Sequence, residues 1–128
     1  MRLALALHEN WLGLFRGILV PAFLTKKQVY DWIKAGDKTI ELRSGKSLNG
    51  ESITFLNGRR QTVKAKILRK KEGKLDDVLT ADTYRKIVPT AKSLEEAVAF
   101  VRQIYPLAGG TFTAYEFQLN KEPVKTDG

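Results

Sequence analysis

The stretch Thr25-Lys26-Lys27-Gln28-Val29-Tyr30-Asp31-Trp32-Ile33-Lys34-Ala35-Gly36-Asp37-Lys38-Thr39-Ile40-Glu41-Leu42-Arg43 carries two periodicities back to back. Thr25 followed three residues on by Gln28 is a capping-box pattern, which marks a helix start. Val29, Trp32 and Ile33 fall at i, i+3 and i+4 and give that helix one apolar stripe. Gly36 supplies the left-handed residue that closes its last turn. From Lys38 the period changes to two, with Ile40 and Leu42 on one side and Thr39, Glu41 and Arg43 on the other, as in a half-buried strand.

Outward from this junction, Ile18-Leu19-Val20-Pro21 reads as a short buried strand before the helix, and Ser44 to Gly50 as a loop of small turn-forming residues. Ser52 to Leu56 and Thr62 to Ile67 alternate around Asn57-Gly58-Arg59-Arg60, a hairpin pattern in which Asn-Gly suits a type I′ turn. Lys64 and Lys66 then share the face opposite Val63, Ala65 and Ile67. The run 69–74 reads as a solvated, mobile connection. Two short helices follow at 75–79 and 82–87, ending before Pro89. Ser93 and Glu96 form a second capping box, opening a helix with the apolar face Leu94, Ala97, Val98, Val101 and Ile104 that ends at Pro106. A last strand over 111–119 turns Tyr115, Phe117 and Leu119 inward. Strands interrupted by helices, without regular βα alternation, make this an α+β chain.

With 128 residues there is room for one domain with a sizeable core. The absence of Cys excludes disulfides and thiolate chemistry and fits a cytoplasmic protein. A single His argues against His-rich zinc sites and a Ser-His-Asp triad. Leu3, Leu7, Trp11 and Leu14 fit a helical stripe, so residues 1–17 read as an apolar helical extension docked on the domain or, through residues 1–16, on a protein partner. No apolar run approaches the about 20 residues of a membrane span, and no membrane partner is expected. The net charge of +8 favours polyanionic partners, nucleic acid first. Residues 121–128 read as a flexible polar tail.

The run Gly-x-Lys-x-x-Glu-x-Arg at Gly36, Lys38, Glu41 and Arg43, preceded by Tyr30 and Ile33, resembles the signature of the ASCH domain family. The resemblance continues through Gly50-Glu51-Ser52-Ile53-Thr54-Phe55, Pro89 with Ser93 to Ala97, Ile104-Tyr105-Pro106, and the strand from Phe112 to Phe117, and covers roughly residues 18–119. It implies a PUA-like domain over 18–120: a small mixed β-barrel of five to six strands flanked by helices. It also implies that the motif lines a cleft for RNA or a modified nucleobase. One branch of that family comprises amidohydrolases working through a Lys, a Thr and a Glu. Lys38 matches the Lys, but Glu41 stands where the Thr belongs, and residues 89–92 offer Thr90 and no acid.

The leading expectation is therefore an RNA- or nucleotide-binding module with Lys38, Thr39, Glu41 and Arg43 in its cleft. The alternative is a hydrolase of a modified nucleoside or of RNA in the same cleft, with Lys38 as base and Glu41 orienting it; no cofactor is implied. On spacing alone, Lys38, Glu41 and Arg43 read rather as a solvated strand face of small energetic value, and it is the resemblance that turns the reading toward a cleft. Tyr30 lies off the apolar stripe and is the candidate for base stacking, while Trp32 and Tyr115 have core spacing. Arg59, Lys64 and Lys66 are candidate phosphate contacts, or charges that keep an edge strand unpaired.

Overall fold

A computed structural model describes residues 10–15, 18–58, 61–106 and 109–120. In chain order the elements are β1 (Asn10–Phe15), β2 (Ile18–Leu24), α1 (Lys27–Ala35), β3 (Ile40–Ser44), β4 (Ser52–Asn57) and β5 (Gln61–Gly73). After them come α2 (Leu75–Val78), α3 (Tyr84–Ile87), α4 (Leu94–Ile104) and β6 (Phe112–Leu119). The strands form one sheet in the order β1-β2-β4-β5-β6-β3, with β2 and β4 parallel and the other pairs antiparallel. This is an α+β half-barrel, open between its ends rather than the closed barrel expected.

Each face of the sheet has its own core. Phe23, Ile53, Phe55, Ala65, Tyr115 and Phe117 fill the concave side together with Ile33 of α1. The other side buries Ile40, Leu42, Phe112 and Ala114 beneath α2, α3 and α4, with Trp32 of α1 in the same cluster. Helix α1 thus supplies adjacent residues, Trp32 and Ile33, to both cores. Tyr30 of the same helix is buried as well, 3% exposed.

Local signals at helix ends account for part of this. Gly36 adopts φ +85°, and N–H groups of the cap and of Asp37 and Lys38 close on the carbonyls of Ile33 and Trp32. Ser93 accepts a hydrogen bond from the Glu96 N–H at 3.1 Å and starts α4. At α1 the expected cap does not form. The Thr25 hydroxyl donates instead to the Leu56 carbonyl at 3.0 Å, and Asn57 Nδ2 donates to the Thr25 carbonyl at 2.8 Å, so Thr25 ties the chain to β4 while Lys26 occupies the cap position.

Three further expectations change. Residues 10–15 are a strand paired with β2, not part of a helix, because β2 offers that segment a backbone partner from Asn10↔Phe23 to Phe15↔Ile18; Leu3 and Leu7 lie outside the described residues. The β4–β5 pairing ends at Asn57↔Gln61, which leaves three residues in the connection rather than the two of a type I′ turn. Residues 69–73 are not a mobile connection. They extend β5 along β6 after a bulge between Ile67 and Arg69.

The 45–50 loop is pinned over the concave mouth. Glu72 Oε1 accepts from the Ser47 N–H and hydroxyl at 2.9 and 2.8 Å, and those bonds lower its pKa. Lys70 Nζ donates to the Leu48 carbonyl at 2.6 Å, and the Tyr115 hydroxyl accepts from the Leu48 N–H at 3.0 Å. Asn120, at the end of β6, donates its N–H to the Lys64 carbonyl at 3.0 Å; the tail from 121 lies outside the described residues.

A side chain at residue 36 would meet no atom within 4 Å, so only the left-handed backbone opposes it. Gly36→Ala should therefore lower stability by about 1 kcal/mol without repacking either core, readable as a fall in the urea midpoint at unchanged slope.

Candidate functional site

The period-two reading of β3 holds for side-chain parity but not for solvation. Ile40 and Leu42 face the helices, while Glu41 and Arg43 face the concave interior beside Tyr115 and Thr113. Both faces are covered, and Lys38, Glu41 and Arg43 are only 3%, 5% and 5% exposed. The reading of these three as a solvated face is thereby corrected.

Their geometry is that of one ionic unit. Glu41 Oε1 lies 3.4 Å from Lys38 Nζ, and Glu41 Oε2 accepts from Arg43 Nη2 at 3.1 Å. Lys38 Nζ also donates to the carbonyls of Ile40 at 2.8 Å and Ile87 at 2.6 Å. Arg43 Nη2 reaches the Leu24 carbonyl at 2.9 Å, and its guanidinium carbon stands 4.5 Å over the centre of the Phe23 ring.

β3 is an end strand, and alternate residues turn their backbone away from β6. Thr39 and Gly45 bond toward β6, through Phe117 N to Thr39 O and Gly45 N to Thr111 O, so the Ile40 carbonyl and Leu42 N–H point to the open side. Lys38 satisfies the first of these and Glu41 Oε1 the second, at 3.1 Å. Arg43 then spans the open seam to the end of β2. The motif caps an edge that would otherwise present unpaired backbone groups.

Burial pulls the Lys38 ammonium below its ordinary pKa, against the raising effect of Glu41 beside it. For Glu41 burial works upward, yet the charges of Lys38 and Arg43 and their hydrogen bonds outweigh it and hold the carboxyl below its usual value. Three acceptors around Nζ suit an ammonium, which has three hydrogens to give, so Lys38 is a charged donor here despite the downward pull.

These residues floor an apolar cleft enclosing about 600 Å³, counting its open mouth. Its walls include Leu24, Val29, Val88, Phe100, Ile104 and Tyr105, and Lys26 stands with them at the start of α1. Of the expected site residues, Lys38, Glu41 and Arg43 line it. Thr39 does not: its N–H donates to the Lys86 carbonyl and its carbonyl accepts from Phe117. Tyr30 is buried, which corrects its reading as a ring free to stack on an incoming base, and it is not among the residues that line the cleft. Lys64 and Lys66 are exposed on β5, away from the cleft, and Arg59 lies outside the described residues.

The α3 and α4 walls were not foreseen from sequence. Phe100 packs against Trp32 with the rings tilted at 47° and their centres 5.8 Å apart. Its one available signal was an aromatic lying just off the α4 stripe, which widens the apolar arc. Among the described residues no three His, Cys, Asp or Glu side chains come together as a metal site, and no helix is long and apolar enough to cross a membrane.

No protein-family model matches the chain, and no curated protein matches it significantly. Among solved structures, the crystal structure of the hypothetical protein PH0355 is similar, with a TM-score of 0.62 and 21% sequence identity over 77% of this chain and 97% of that one. At that identity the likeness shows the fold alone.

Removing the Glu41 charge would leave two buried cations facing each other. Glu41→Gln should cost about 3–5 kcal/mol. Because the folded pKa of Glu41 lies below its ordinary 4.5, its stabilisation is present above that pH and is lost as pH falls through the folded value. Lys38, also lowered, has the opposite charge: its burial cost is present at neutral pH and is relieved as pH rises toward 10.5. The urea midpoint, followed by tryptophan fluorescence, should drop below about pH 4.5 in the parent protein and much less steeply in Glu41→Gln.

Proposed function

We propose that this chain is an ASCH-type, PUA-like module whose cleft receives a nucleotide or a base splayed from RNA. The observation that carries this reading is the apolar cleft with a charged, hydrogen-bonded floor. The walls formed by Val29, Phe100 and Ile104 favour a flat apolar surface. Glu41 Oε2, which accepts from Arg43, has a lone pair left for an N–H on a base edge. Lys26 at the start of α1 is suited to meet a phosphate.

The hydrolase reading asks more of the same residues. A general base needs an available lone pair, and Lys38 has its ammonium engaged with Ile40, Ile87 and Glu41. Binding therefore fits this geometry better than proton abstraction by Lys38.

Labelled protein titrated with nucleoside monophosphates and short single-stranded RNAs should show saturable amide shifts in 24–26, 38–43 and 100–105. Ile104→Trp, which fills the cleft from a half-buried wall position, should weaken that binding at least about tenfold with the fold retained. Shifts that avoid these three segments for every ligand would sink the proposal.

A further inference from the structure

The long strand β5 carries a second feature that the cleft does not use. Lys64 and Lys66 point away from the concave core, and strict alternation would put Leu68, Lys70 and Glu72 next on their face. The bulge resets that parity: Ile67 pairs with Phe117, but Arg69 pairs with Glu116 and Lys71 with Ala114. Arg69 and Lys71 thereby join Lys64 and Lys66 on the outer face, while Lys70 and Glu72 turn inward to hold the 45–50 loop.

β5 pairs with β4 from Gln61 to Lys66 and with β6 from Ala65 to Gly73, so Lys66 has a strand on each side and edge protection does not explain it, whereas Arg69 and Lys71 have only β6 beside them. Neighbouring strands do not neutralise the row throughout. Lys66 stands between Ser52 and Gln118, and Lys71 beside Ala114. Arg69 has Glu116 at 3.6 Å, in a largely exposed pair. Beyond Arg69 and Lys71 the face opens into a groove of about 540 Å³ that includes Thr80, Thr83 and Asp77; Asp77 accepts from the Lys74 N–H at the start of α2.

We infer that this face is a phosphate track that binds the sugar–phosphate backbone of a nucleic-acid strand without reading its sequence. Positions two apart on a strand repeat at about 6.6 Å, comparable to the step between phosphates along a nucleic-acid chain. Ser52 and Gln118 beside Lys66 add neutral donors of the kind that position phosphates. Among the described residues the exposed part of this face has no aromatic ring to stack on a base, so contacts stay with the backbone. The track does not depend on what occupies the cleft.

The test is fluorescence anisotropy of a labelled oligouridylate with the full chain between about 50 and 200 mM salt. The logarithm of the association constant should fall with the logarithm of salt concentration at a slope of about −2 to −3. The double variant Lys66→Gln/Lys71→Gln should reduce that slope by about one and weaken binding about tenfold at the lowest salt. Lys34→Gln/Lys92→Gln removes the same charge from exposed positions elsewhere and should leave slope and affinity unchanged. Excess uridine monophosphate, a cleft-sized ligand with a single phosphate, should not displace the oligomer. Equal weakening by the two double variants would reduce the effect to the diffuse field of a basic protein and overturn the track, as would undetectable binding. Displacement by the monophosphate with no effect of Lys66→Gln/Lys71→Gln would overturn it while upholding the cleft.

Discussion

The buried carboxylate of Glu41 organises the open side of this half-barrel. An isolated carboxylate taken out of water is costly, so it must be matched by cations and donors. Lys38 and Arg43 come from the same short stretch and approach its two oxygens separately. Each cation also makes a second bond to backbone: Lys38 to Ile40 and Ile87, and Arg43 to Leu24. One carboxylate thus holds together the edge of β3, the end of α3 and the end of β2.

The same arrangement supplies the cleft with its character. Edge-capping groups already bonded to protein are rigid and desolvated, while the surrounding walls come from apolar residues of α1, α3 and α4. A ligand entering there meets fixed charges at the floor and adaptable side chains around it. The structural role and the binding role use the same atoms, so variants of the motif test stability first and recognition second. Wall residues such as Ile104 separate the two more cleanly.

Parity is the second organising constraint. A strand of regular alternation cannot both place Lys64 and Lys66 outside and keep Lys70 and Glu72 on the loop that covers the concave mouth. One extra residue in β5, Leu68, resolves this and is itself half exposed. The inner core and loop are maintained on one side of the bulge, and the basic face continues on the other.

Signals contained within one turn or one strand were legible in the sequence: the Gly36 stop, the Ser93 cap, the β3 side-chain parity, and the inward Tyr115 and Phe117. They rest on backbone sterics and on neighbours a few residues apart, which travel with the chain wherever it folds. What depended on distant partners was decided only by tertiary structure. Thr25 chose the Leu56 carbonyl over a helix cap, and residues 10–15 became a strand because β2 lay alongside. Tyr30 was buried within the fold, and residues 69–73 joined the sheet because β6 returned to pair with them. The Lys38, Glu41 and Arg43 pattern was visible as a motif. Its burial came from layers on both faces of β3, and that contact no local periodicity encodes.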